Sequence, residues 1–183
     1  MEKVWNKVYY NIYLFEVNTT YAFRTILNFI FSPITKINFL KKSLEKKGSS
    51  FKHIDDIALK VSNNREYGKS INFANIQIGG LLVILEYCLF NFLQALLGKS
   101  LIQYVWEYNR IYTLCFIIIM LLIPYIINNK LLWENDKYLK YFEEFDQDSK
   151  HVRYKWAWIS LGIIASIILL FILSLIVTIK VLG

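Results

Sequence analysis

The chain has 183 residues, 56% of them hydrophobic and 19% charged, with a formal net charge of +7. That hydrophobic share is high for a water-soluble domain, and the apolar residues come in long runs. It points to an all-α membrane protein, with about three transmembrane helices after an N-terminal region of amphipathic helices, cytoplasmic or interfacial.

The opening MEKVWNKVYYNIYLF lacks the compact apolar core and small-residue cleavage site of a signal peptide, so the first span is expected to direct insertion. Within it Val4, Trp5, Val8, Tyr9, Ile12 and Tyr13 recur as pairs four apart, an apolar helical stripe with Lys3, Asn6, Lys7 and Asn11 opposite. Such a helix lies on something apolar, and the bilayer surface and the spanning helices both qualify. TILNFIFSPIT at 25–35 lies between Arg24 and Lys36 and contains Pro33; it is short for a span and reads as interfacial.

Ser32 as a cap, Pro33 as the first helical residue and Gly48 as a terminator frame the basic amphipathic helix PITKINFLKKSLEKK. Ile34, Ile37, Leu40 and Leu44 make its apolar face. Lys41, Lys42, Lys46 and Lys47 near its end suit the helix dipole and a lipid surface. Each lysine beside an anionic leaflet contributes about 1 kcal/mol, so anionic lipid headgroups are the first expected partner. Ser49 or Ser50 then caps a short helix with Phe51, Ile54, Ile57, Ala58 and Val61 on one side, and SNNREYGKS at 62–70 is a loop.

Residues 1–70 thus form one region and 71–183 a transmembrane domain, with spans at about 76–98, 111–129 and 156–179 and a cytoplasmic helical loop at 130–155. The first span carries Glu86 near its middle. A central carboxylate costs about 2.5–3.5 kcal/mol to insert and each Leu, Ile, Val or Phe returns about 0.3–0.6, so the many leucines of this span outweigh it. Gly79, Gly80, Glu86, Tyr87, Asn91 and Gln94 share one sector of the helix, and most of the leucines lie outside it. Glu86, Asn91 and Gln94 are therefore expected to face protein, with Glu86 hydrogen-bonded across helices. In the loop, Asn135 or Asp136 starts a helix to about Lys150, with Leu139, Phe142 and Phe145 on the face that packs under the bundle. In the last span Gly162, Ser166, Ser174 and Thr178 form a stripe of small residues suited to close helix packing.

Lys and Arg number twelve in 1–75, two in 99–110, six in 130–155 and one in the tail, so three spans place eighteen on one side and three on the other. Positive charge resists translocation, which predicts a multi-pass protein of the inner (cytoplasmic) membrane with its N-terminus inside. That asymmetry accounts for the basic balance without nucleic acid, and the short outer segments argue against a receptor for large ligands. Tyr104, Trp106, Tyr108 and Tyr112 would form an outer aromatic belt, and Trp133, Tyr138, Tyr141, Tyr154, Trp156 and Trp158 an inner one.

Chemical motifs are scarce. GKS at 68–70 and 98–100 lacks the upstream glycine of a phosphate loop, since Asn63 and Leu93 stand there. HIDD at 53–56 has no second histidine nearby to complete a metal site, and Cys88 and Cys115 read as buried thiols in different spans. The sequon at Asn18 falls on the cytoplasmic side, where it would not be used. No catalytic set, cofactor or metal is expected.

The early KVYYNIYLF, the pair of spans, KYLKYFEEF before KWAW and the closing apolar helix resemble a group of uncharacterised small polytopic membrane proteins of Bacteroidota type. The resemblance implies the topology and no activity. The expected function is non-enzymatic: an integral membrane subunit or adaptor that packs against itself or another membrane protein. The alternative is a homo-oligomeric pore or membrane-perturbing effector with Glu86 facing the lumen.

Overall fold

The computed structural model describes every residue except Lys36, Lys47, Tyr108 and Gly183, and of Ile34, Thr35 and Leu40 the backbone alone. Among the described residues eight α-helices follow in order: α1 (Glu2–Thr35), α2 (Asn38–Lys46), α3 (Phe51–Ser62), α4 (Lys69–Leu97), α5 (Leu101–Glu107), α6 (Arg110–Asn128), α7 (Lys137–Asp146) and α8 (Lys150–Leu182). Among the described residues there is no strand. The chain forms two compact units, Met1–Asn11 with Ile76–Gly183, and Ile12–Asn75.

Three helical stretches are long and apolar enough to cross a membrane, beginning at Lys69, Arg110 and Lys150. At about 1.5 Å per residue, the 19 residues of α6 just match a hydrocarbon core, and the 29 of α4 and 33 of α8 exceed it. Their apolar side chains point mostly outward, as at Leu89, Leu96, Ile118 and Leu169. That is how a small bundle meets lipid, which is as apolar as leucine itself.

The helix ends follow local chemistry. Ser50 accepts the His53 N–H at 3.2 Å and caps α3. Gly48 and Gly98 take left-handed φ values of 68° and 61° and close α2 and α4, where other residues would be strained. Gly68 is required for a different reason. A Cβ there would lie 2.4 Å from the Asn64 carbonyl oxygen and 2.5 Å from that of Ser62, inside the turn that Asn64 braces by accepting the Glu66 and Tyr67 N–H groups. Between α6 and α7 the chain widens into a π turn at Asn129–Trp133 and tightens into a 3₁₀ turn at Glu134–Asp136. There Asn135 and Asp136 adopt left-handed φ values of 58° and 54°, which short polar residues tolerate best.

The junction of α1 and α2 differs from the sequence expectation. α1 continues through Ser32 and Pro33 to Thr35, and α2 starts only at Asn38. A proline costs a helix the turn before it, through a missing N–H and a clash with the carbonyl four residues back, and one turn at the end of a long helix is a small loss. Pro33 therefore closes α1 instead of opening α2. Leu44 is half-buried and Ile37 exposed; Ile34, Leu40 and Lys47, counted in the same helix, lie among the residues or side chains not described.

Candidate functional site

The polar residues of the first span meet those of the last. Asn91 and Gln94 are 2% exposed and Ser174 is fully covered, although all lie on apolar helices. Asn91 Nδ2 donates to Ser174 Oγ at 3.1 Å, and Thr178 Oγ1 reaches the Asn91 carbonyl at 3.1 Å. Gln94 Nε2 donates to Asn91 Oδ1 at 3.4 Å, while its own Oε1 accepts the Ile102 N–H at the start of α5. One network thus ties α4 to α8 and seats α5 against their ends. In lipid such a bond contributes about 0.6–2 kcal/mol, and leaving any of these groups unpaired would cost more. Rings pack beside it: Tyr87 against Phe171 at 6.1 Å, and Phe90 against Phe116 of α6 at 5.0 Å.

Glu86 does not join this network. It is half-buried, and its Oε2 is covered with no hydrogen-bond partner among the described residues. Gly162 and Ser166 part company with Ser174 and Thr178 as well. Both are exposed, Ser166 Oγ donates to the Gly162 carbonyl of its own helix at 2.8 Å, and a Cβ at Gly162 would meet nothing within 4 Å. With Ile159, Ile163, Ile167 and Leu170 they line an open notch of about 430 Å³ on α8.

A second polar cluster surrounds the first eleven residues: Val8, Tyr9, Ile12 and Tyr13 of the expected apolar stripe are buried, and much of the opposite face is buried as well. Val4, assigned to the apolar stripe, is 41% exposed, whereas Asn6 and Lys7, assigned to the opposite face, are 0% and 3% exposed. Partners for the donors of Asn6 and Lys7 account for the covered polar face, although Asn6 Oδ1 and Asn128 Nδ2 have no partner among the described residues. Asn6 Nδ2 donates to the Leu131 carbonyl in the π turn, Trp5 Nε1 to Asn128 Oδ1 at 3.0 Å, and Asn11 Nδ2 to Ser160 Oγ of α8 at 2.9 Å. Lys7 pairs with Asp148 and sits 3.6 Å from the centroid of the Phe145 ring. Tyr10 Oη donates to Asp146 at 2.7 Å.

Tyr9, Tyr10, Tyr138, Phe142 and Phe145 fill the space between these bonds, with Phe142 5.3 Å from the Tyr9 ring and 5.0 Å from that of Tyr10. Burial pushes the Tyr9 phenol above its ordinary range, partly offset by a hydrogen bond from Trp133. On the rim, the hydrogen bond to Glu144 raises the Lys3 ammonium. Tyr138 is thus a core residue rather than part of an aromatic belt, and Trp133 and Tyr141 are half-covered. Tyr104, Trp106, Tyr112, Tyr154 and Trp158 are exposed, as belt residues would be, and Tyr108 lies outside the described residues. Sequence periodicity put Tyr9, Phe142 and Phe145 on packing faces, and they are buried; it did not show that they meet each other or that Asn6 and Lys7 are buried with them.

Of the lysines assigned to a lipid surface, Lys41, Lys42 and Lys46 are exposed on α2, and Lys47 lies outside the described residues. Cys88 is buried and Cys115 exposed, both as free thiols. Among the described residues no group of three or more His, Cys, Asp and Glu is placed to hold a metal.

Fold and site together define a multi-pass helical membrane protein whose internal polar groups fasten helices to one another. No protein family, curated protein or solved structure matches the chain.

Proposed function

We propose that the protein is a non-enzymatic membrane subunit or adaptor, working through helix packing with a second copy or another membrane protein. The observation that carries this reading is the outward notch on α8, where Gly162 and Ser166 would let a further helix approach closely in lipid. The use of Asn91, Gln94, Ser174 and Thr178 within the chain supports it too, because groups already bonded to each other are poorly placed to line a water path. The second reading, a homo-oligomeric pore, is favoured by one feature, the unpaired covered oxygen of Glu86.

Purified protein in vesicles separates the two. Gly162→Ile with Ser166→Ile should lower the assembled size on native gels, or abolish co-purification of a partner, without creating or removing ion leak. A leak present in wild type and changed by Glu86→Gln alone would establish the pore instead. The packing reading fails if the α8 variant leaves assembly and partner capture unchanged.

The same reading places the N-terminus in the cytoplasm and the chain in the inner membrane, on the strength of the eighteen-to-three division of Lys and Arg. Single cysteines at Ser100 and Gln147, in a chain lacking Cys88 and Cys115, should label from opposite sides, Ser100 from outside. Labelling of both from one side would refute the three-span arrangement.

A further inference from the structure

Within the unit Ile12–Asn75 the α1 and α3 helices run antiparallel. Tyr13 Oη donates to the Asn63 carbonyl at 2.7 Å, while eleven residues further along α1, Arg24 donates to Asp55 and is joined by Asn28 at 3.3 Å. At about 100° per residue, Phe23, Ile26, Leu27 and Ile30 lie roughly 60–160° around α1 from Arg24, and Ile54, Ile57, Ala58 and Val61 the same way around α3 from Asp55. Viewed down one axis, right-handed helices of opposite direction turn in opposite senses. Equal rotation away from the contact therefore brings both sets to the same side of the pair. Asn18, Tyr21, Thr25 and Phe29 of α1, with Lys52, Asp56 and Lys60 of α3, fall on the other, which is polar along α3 and mixed along α1.

This apolar side is uncovered. Phe23, Ile26 and Ile30 are 57–58% exposed, Ile54, Ile57 and Val61 are 45–54% exposed, and no residue of α3 is buried. Ile54, Ile57, Ala58 and Val61 border an open groove of about 490 Å³ with Lys69 at its edge. A contiguous apolar face of this kind on a water-exposed surface marks an interaction site, and two facts select its occupant. Residues 12–75 carry ten Lys and Arg against five Asp and Glu, which suits an anionic surface. Lys69 also opens α4, the first membrane-spanning helix, so the unit is tethered where a bilayer begins.

We propose that the α1–α3 pair lies flat on the anionic leaflet through which α4 enters, with Phe23, Ile26, Ile30, Ile54, Ile57 and Val61 immersed at the boundary of headgroups and acyl chains. The apolar face supplies depth, and the basic charge of the unit supplies preference for anionic lipid. The docking surface is thus wider than the lysine-rich segment alone, and α3 is part of it.

The test uses the full chain, lacking Cys88 and Cys115, in nanodiscs of phosphatidylcholine with or without phosphatidylglycerol. Spin labels go on single cysteines in two adjacent pairs, Phe23→Cys with Thr25→Cys and Ile54→Cys with Asp56→Cys. The first site of each pair should collide with lipid-soluble oxygen, and the second with an aqueous nickel chelate, the ratio differing by about tenfold between neighbours for an interfacial helix. Phosphatidylglycerol should deepen the first sites, and Lys41→Gln, Lys42→Gln and Lys46→Gln together should reverse that gain. Equal water access at both members of each pair would overturn the proposal. So would protection of Phe23 and Ile54 that rises with protein density instead of lipid contact, since a second chain would then be the occupant.

Discussion

Phe142→Ala is expected to destabilise the protein by about 3–5 kcal/mol, the cost of deleting a fully buried aromatic ring and leaving a cavity. Phe142 is 0% exposed and stands between the rings of Tyr9 and Tyr10, with Tyr138 edge-on at 5.7 Å. Its loss removes a side chain that touches both tyrosines and the Tyr138 ring of α7. The damage should be regional, because the α4–α8 network shares no residue with this cluster. Denaturant titration in detergent should register the lost stability. A thiol placed at Val8, itself fully buried, should become reactive in the variant well before Cys88 does. Equal reactivity of Val8→Cys with and without Phe142→Ala would show that the ring does not hold the N-terminal residues in place.

Lys7→Ala should cost nearly as much, for an electrostatic reason. Its side chain is 4% exposed and that of Asp148 28%, so deleting the ammonium leaves a largely covered carboxylate without its counter-charge. Breaking a buried pair costs about 3–5 kcal/mol, and the partial exposure of Asp148 reduces that to ~2–3 kcal/mol. Lys7→Met keeps the aliphatic stem beneath Phe145 and removes only the charge. Combined with Asp148→Asn it should recover more than half of the loss, because the pair is then replaced rather than broken. Stability of the wild type should change little with salt, as expected for a shielded pair. A strong salt dependence, or additive single variants, would place the interaction in solvent.

Much of this architecture is legible in the residues, for reasons of scale. A span of some twenty apolar residues has no other stable home, so α4, α6 and α8 stand out, and Ser50, Gly48 and Gly98 mark ends through their own backbone chemistry. Asn91, Gln94, Ser174 and Thr178 were also recognisable, since polar groups in a span must find partners, although their pairing with each other required the fold. In the first helix the covered stripe of Val8, Tyr9, Ile12 and Tyr13 was legible, and the burial of Asn6 and Lys7 opposite it was not. Periodicity tells which side of a helix is apolar, and it assumes that one side meets water. Residues 6–10 are covered on every side, and Asn6 and Lys7 are accommodated by a carbonyl at Leu131 and a carboxylate at Asp148 far along the chain. Glu86 illustrates the opposite limit, because a sector rule put it beside Asn91 and Gln94 while the bonds pass it by.

The closure of the N-terminal segment onto the distant end of the molecule also sets an order of events during synthesis. Asn11 meets Ser160 across 149 residues of sequence. At about 5–20 residues per second the ribosome needs roughly 7–30 s to supply that partner. The partners of Tyr9, Tyr10 and Lys7 between Tyr138 and Asp148 are made only slightly sooner. α4 and α6 can enter the bilayer during that interval, but the aromatic cluster cannot close before α7 emerges. The nascent chain therefore carries an open, tyrosine-rich arm through most of its own translation; α7 covers the rings, and the start of α8 adds the bond from Asn11 to Ser160.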